Sequence, residues 1–260
     1  MATSYRFETN PLARTACVWP FLLLVIAVAP GLAVASDASK QQADSSQQPQ
    51  FLRLLRESRA PYHTFATRFI QHKRLAMLDI VLESEGMIFF RRPGSVRYEI
   101  ISPVQSLMIY DGKKVRCYAF SEDKWNLLNN PGATAIGQVL RQIGRWIQGD
   151  FDADRKMFEI DAVPADDGGC IHLIPRSKAL AEYIQRVEIH VKKVGDRYRV
   201  AQVIIRESDV DLTDMRFRQE LHNQPIPEGT FTSPAASEAC QAAFPPEDCS
   251  DPNEAEKPKS

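Results

Sequence analysis

The side chains of this chain that could do chemistry are scattered. Its five histidines are dispersed, with no pair at i, i+4, so no helix face offers the two imidazoles of a zinc hydrolase. No G-x-S-x-G elbow and no Cys/His arrangement supplies an activated nucleophile. Two carboxylate clusters stand closer together, Asp166-Asp167 and Asp209/Asp211/Asp214. The first lies in a glycine turn and the second alternates along a strand, which suits solvated carboxylates better than a general acid–base pair. No catalytic residue, metal ligand or cofactor is expected, and the chain is read as a non-enzyme. The remaining reactive groups are sulfurs. Cys117, Cys170, Cys240 and Cys249 all follow the N-terminal leader, and an oxidising compartment would permit disulfides among them. Cys240 and Cys249 are close in sequence and form the expected local bridge. Cys117 and Cys170 could be bridged or simply buried, and their spacing fits no zinc motif.

The compartment is legible at the N-terminus. Arg6 and Arg14 precede an apolar run from Val18 to Val34, and Ala33-Val34-Ala35 is a small-residue cleavage site before Ser36, the layout of a secretory signal. Pro20, Pro30 and Gly31 interrupt the run, which falls short of the ~20 residues that a spanning helix needs. Residues 1–35 are therefore expected to be cleaved after Ala35, leaving an exported chain. Residues 36–50, rich in Ser, Gln and Ala, read as a flexible leader, and 235–260 as a disordered tail. The formal net charge is −1 and the basic residues are dispersed, which argues against a nucleic-acid partner. His72-Lys73-Arg74 is the nearest approach to a basic cluster and reads as a solvated turn.

The elements between these ends are mostly strands. Phe51 to Arg59 is a short helix closed by Pro61. Thr64 to Gln71 alternates as a first strand, and a second runs from Leu78 through Gly86 to Phe90, the glycine marking a bulge. Pro93-Gly94 supplies a turn. Val96, Tyr98 and Ile100 then share one strand face, with Arg97 and Glu99 on the other. Pro103 ends that strand, Leu107 to Tyr110 forms the next, and Asp111-Gly112 signals a hairpin into Val115 to Ala119. Between Ala133 and Gly149 the period changes: Ile136, Val139, Leu140, Ile143 and Ile147 define an amphipathic helix. Strands resume at Phe158, Cys170, Val187, Tyr198 and Asp211. About nine to eleven strands in an antiparallel meander with two helices should curl into a partial barrel, whose interior is either packed solid or holds one ligand.

Taken in order, several of these segments resemble the LolA-like family of periplasmic lipoprotein carriers. The matching elements are Phe65-Ala66-Thr67-Arg68-Phe69-Ile70-Gln71, Gly86, Arg91-Arg92-Pro93-Gly94, Arg97-Tyr98-Glu99, Pro103, Asp111-Gly112-Lys113 with Tyr118, and Leu173-Ile174-Pro175. Leu212 to Phe217, Asn223, Pro227, Phe231 and Pro234 follow. The resemblance spans roughly residues 60 to 234 and implies, over 51–234, an α+β half-barrel: a curved antiparallel sheet forming an incomplete barrel closed by a helical lid. It further implies a periplasmic, monomeric carrier of the acyl chains of a lipoprotein or lipid, with an inner-membrane transporter as donor and an outer-membrane receptor as acceptor. Candidate cavity liners are Phe65, Phe69, Met87, Phe89, Val96, Tyr98, Ile100, Leu107 and Ile109. Ile143 and Trp146 are lid-helix candidates. Arg92 matches the family arginine that bonds to the closed lid. Tyr98 stands where the family usually has tryptophan, and the stretch after Tyr118 departs from its usual continuation, so the cargo is left as lipid or lipoprotein. A protein- or peptide-binding module on the same half-barrel is the alternative, with an envelope hydrolase behind it.

Overall fold

The computed structural model describes residues 47–75, 80–129 and 133–245; the expected signal segment and most of the expected leader lie outside them. Eleven strands form one antiparallel sheet in the order β6-β5-β4-β3-β2-β1-β11-β10-β9-β8-β7. Here β1 is Thr64–Leu75, β2 Ile80–Arg91, β3 Ser95–Ser102, β4 Ser106–Tyr110, β5 Val115–Ser121 and β6 Lys124–Leu127. The second group is β7 Phe158–Ala165, β8 Gly168–Pro175, β9 Arg186–Val194, β10 Arg197–Arg206 and β11 Leu212–His222. The sheet is thus two meanders fused where the first strand pairs with the last, Phe65 opposite His222 and Arg74 opposite Leu212. The chain leaves edge strand β6, runs through α2 (Ala133–Ile147) and re-enters at the other edge strand, β7. The result is an open half-barrel whose two edges do not pair.

Local sequence explains the joints. The bulge expected at Gly86 is present, as the β2–β3 register shifts between Glu85 and Gly86. A Cβ there would lie 2.3 Å from Phe69 Cζ and 2.4 Å from the Glu99 carbonyl oxygen, so only glycine lets the ring lie across the strand. At Asp111-Gly112 the loop is longer than the expected two residues, because Tyr110 pairs with Val115. The Asp111 carboxylate accepts the backbone N–H groups of Lys113 (2.9 Å) and Lys114 (2.8 Å). Those bonds hold its pKa below the usual carboxylate range.

One face of the sheet, called inner here, carries α1 (Gln47–Arg59) over β7 and β10, and α2 over β3 and β5. The opposite, outer face is covered as well, which corrects the expectation of a disordered tail for residues 235–245, the rest of that tail lying outside the described residues. Pro234–Ala236 is a 3-10 turn and α3 spans Ser237–Ala242. Phe231, Ala236, Cys240 and Phe244 pack on Ala66, Met87 and Phe89, with the Phe89 and Phe244 rings 5.5 Å apart at 65°. The tail composition hid an apolar stripe long enough to dock. Cys240 is a free, buried thiol facing this cluster, 3.3 Å from Thr230 Oγ1. Cys249, its expected partner in a local bridge, lies outside the described residues. The leader is likewise shorter than expected, since α1 begins at Gln47 and Gln48 Nε2 donates to the Ile160 carbonyl (2.7 Å).

Arg97 and Glu99, on the strand face opposite Val96, Tyr98 and Ile100, are also buried, at 0% and 1% exposed. The guanidinium donates to Glu99 Oε2 through Nε (2.7 Å), to the carbonyls of Thr230 (3.1 Å) and Ser233 (3.0 Å), and to Ser237 Oγ (2.7 Å). Burial raises the Glu99 carboxyl above its usual pKa, opposed by the Arg97 charge and by hydrogen bonds from Ser237 and Arg97. The charge pair thus fastens the covering segment to β3. Arg97→Ala should lower stability by about 3–5 kcal/mol, the range for breaking a buried ion pair. It should also make residues 226–245 protease-sensitive. Urea denaturation and limited proteolysis check this, and a loss below ~1 kcal/mol with an intact segment, typical of an exposed pair, would contradict it.

Candidate functional site

Facing residues in an antiparallel ladder point to the same side of the sheet, so the pairings fix which side chains line the inner face. Phe90 faces Val96 and Ile88 faces Tyr98 across β2–β3; Val96 faces Tyr110 and Tyr98 faces Met108 across β3–β4. These six, with Phe65, Phe69 and Ile100, belong to one buried cluster that Cys117, Leu140 and Met215 complete. Five of the nine candidate liners, Phe65, Phe69, Val96, Tyr98 and Ile100, are therefore brought together. Ile143 and Ile147 of α2 pack against the same cluster. Trp146 joins a second inner cluster, in which Phe51, Leu52 and Leu55 of α1 meet strands β7 to β10.

The other four candidates lie on the opposite side. Met87 and Phe89 are under the C-terminal segment, and Leu107 and Ile109 pack with Tyr118 and Trp125. Both faces of β2 and β4 are apolar at these positions, so hydrophobicity alone could not assign the side. Parity could have done so: once Val96, Tyr98 and Ile100 are placed inward, the Pro93-Gly94 turn carries Phe90 and Ile88 inward with them.

The helices close this face by direct contact. A Cβ on Gly144 of α2 would lie 3.2 Å from Phe90 Cε2 and 3.6 Å from Val96 Cγ2, so glycine sets how closely the helix approaches. The Trp146 indole donates to Asp154 Oδ2 (2.9 Å) and Arg145 Nη2 lies 3.3 Å from Oδ1. Burial raises the Asp154 carboxyl, offset by bonds from Gln142 and Trp146 and by the Arg145 charge.

The end of α1 carries most of the polar fastening. Arg92 Nε donates to the Tyr62 carbonyl (2.6 Å) and its Nη2 to the Arg59 carbonyl (3.3 Å). A cation on the last carbonyls of a helix satisfies groups left without intrahelical donors and suits the dipole. Arg59, 1% exposed, places its guanidinium 5.5 Å from the Phe65 ring centroid and 3.5 Å from Glu220 Oε1. Tyr62 stacks on His222 at 4.0 Å and 9°, and His222 Nε2 is 3.0 Å from Glu220 Oε2. Asn223 closes the joint, accepting from His63 N (2.7 Å) and donating to the Pro61 carbonyl (3.0 Å). These partners gather on one joint between α1, β1, β2 and β11. The sequence suggested Arg92 but gave no sign of Arg59, Glu220 or His222, whose contacts span about 160 positions.

Among the described residues, no group of three or more His, Cys, Asp or Glu side chains is placed to hold a metal ion, and no helix is long and apolar enough to cross a membrane. Cys170 is a free thiol that burial raises to about 11.

The family model described as "Outer membrane lipoprotein carrier protein LolA" matches residues 61–234. No curated protein matches the chain in sequence. Among solved structures, the chain is similar to a LolA superfamily protein from Nitrosomonas europaea, at 11% identity and a TM-score of 0.39, covering 72% of this chain and 97% of that one. It is also similar to the lipoprotein LppX from Mycobacterium tuberculosis, at 10% identity and a TM-score of 0.39, covering 69% and 98%. The MucA/MucB complex structure from Pseudomonas aeruginosa matches at 15% identity and a TM-score of 0.36, covering 73% and 62%.

Removing the Arg92 fastening should free α1 before it disturbs the sheet. Hydrogen bonds to a charged group contribute about 1.5–3 kcal/mol each. In Arg92→Leu, amide exchange across residues 51–59 should therefore speed up by at least about tenfold, with far smaller changes in β3 and β4. Equal changes in helix and sheet would contradict this.

Proposed function

The chain belongs to the LolA family, and on that premise we propose that it is an exported carrier that shelters acyl chains of a lipid or lipoprotein against its inner face. It takes them from an inner-membrane donor and passes them to an outer-membrane acceptor, working as a non-catalytic monomer in the periplasm after cleavage at Ala35. The observation that carries this reading is the inner face itself. It is continuously apolar from Phe65 and Ile88 to Ile189 and Val203, and two helices with their own apolar stripes roof it.

The energetics suit transfer. Burying each methylene stabilises by ~0.8 kcal/mol, so two or three acyl chains gain tens of kcal/mol gross. In the closed form that surface is already covered by Phe51, Leu55, Leu140 and Trp146. Entry of cargo must displace these contacts and the Arg92 bonds to α1, and that cost offsets part of the gain. A carrier needs this balance, because a cavity that was open and empty would bind too tightly to release.

The mature protein should take up a fluorescent fatty acid saturably, and organic extraction of the purified protein followed by mass spectrometry should release acylated species. A clean extract together with no probe uptake would sink the carrier reading.

A further inference from the structure

The inner face is not apolar to its end. Across β10, β11, β1 and β2, the row Val203–Met215–Gln71–Ser84 is followed by the row Ile205–Thr213–Lys73–Leu82, and then by Leu75 opposite Ile80. Lys73, expected in a solvated turn, is only 4% exposed. Its Nζ lies 3.3 Å from Glu207 Oε1, and the side chain of Glu207 is 9% exposed. Thr213 Oγ1 donates to the same oxygen (3.2 Å). Glu207 Oε2 is buried with no partner among the described residues. One row inward, the Tyr98 hydroxyl donates to Gln71 Oε1 (3.2 Å). Beyond the ion pair, Ile80 and Leu82 are 45% and 42% exposed.

A buried ion pair is commonly no more stable than well-packed hydrophobes of the same volume, and a buried carboxylate oxygen without a donor is a further cost. A few converging polar groups at the end of an apolar surface are what orients an amphiphilic ligand. We propose that Lys73, Glu207 and Thr213 form a head-group site for the carried molecule, an inference that rests on the carrier reading. Acyl chains lie against the apolar rows and the polar end of the ligand reaches this pair. The Lys73–Glu207 pair is neutral overall, so it suits a head group without net charge. The unfilled Oε2 calls for a hydrogen-bond donor, which an ammonium or amide N–H supplies without adding negative charge, and the ammonium of Lys73 offers N–H groups to an adjacent phosphate or carbonyl oxygen. The ligand chemistry is therefore an N–H beside an oxygen acceptor, joined to acyl chains. An ethanolamine phospholipid and the amide of a lipid-modified peptide both provide it.

The test is displacement of a bound fluorescent fatty acid from the mature protein by dipalmitoyl phosphatidylethanolamine, by the matching choline lipid, which has no N–H, by the matching glycerol lipid, and by a tripalmitoylated cysteinyl peptide. The ethanolamine lipid or the lipopeptide should displace the probe at about tenfold lower concentration than the choline lipid, as one charge-assisted hydrogen bond implies; whichever succeeds identifies the source. Glu207→Gln, which sets an NH2 where Oε2 stood, and the double variant K73M/E207L should each bring the ratio near one. The ratio is taken within each protein, so a general loss of uptake cancels. Should a variant fail to fold, the wild-type ratio decides alone. Equal displacement by all four ligands, or a preference for the glycerol lipid, overturns the head-group site and leaves the carrier reading standing. Failure of the wild-type protein to bind the probe at all overturns both.

Discussion

Met87 to Phe90 of β2 and Val96 to Ile100 of β3 are buried on both faces, and both layers that pack on the sheet there keep them dry. Ile88, Phe90, Val96 and Tyr98 point inward, while Met87, Phe89, Arg97 and Glu99 point outward, all at 1% exposure or less. A two-sided burial of this kind is usual for strands between two layers, not for the wall of a half-barrel open to solvent. It demands a second cover, which the segment from Ile226 to Phe244 provides.

The two covers are fastened by different physics. The outer one is held by a buried guanidinium with four partners, two of them carbonyls of the segment itself. Removing such a group leaves stranded charge and polar atoms, so this cover behaves as part of the wall. The inner cover is held mainly by apolar contact, with its polar links gathered at the end of α1 around Arg92, Arg59 and Glu220 and at Asp154 beside α2. Apolar contact is non-directional, and an acyl chain can substitute for it. Under the proposed carrier reading, a lid that cargo replaces on one side and a permanent cover on the other would give the sheet one working face.

Much of this was legible in the sequence, and the gaps have physical causes. The alternation from Ser95 to Ile100, the glycine at 86 and the Pro93-Gly94 turn gave the strands and their antiparallel order, because each is a local effect. The inward face was only half assigned. In Met87 to Phe90 and Leu107 to Tyr110 every residue is apolar, so period-2 hydrophobicity carries no sign. Nothing local marks Arg97 and Glu99 as buried, because charge ordinarily lies on the wet face of an alternating strand and the segment that covers them lies more than 130 positions away. Within that segment only residues 235–245 read as disordered, from their Ala, Ser, Glu and Pro content, although Cys240 and Phe244 supply the apolar contacts that dock them. The sequence resemblance gave Arg92, whereas Lys73 and Glu207 gave no local signal of their pairing.

Adjacent residues on β2 allow the central claim to be tested at single-residue resolution. Phe90 lies on the inner face and Phe89 on the outer. A photo-crosslinking phenylalanine analogue placed at each position, followed by irradiation with an acylated ligand and mass spectrometry, reads which face the chains occupy. Adducts from position 90 and none from position 89 are the result expected of a carrier with one working face. Adducts from position 89, or equal yields from both, would contradict it.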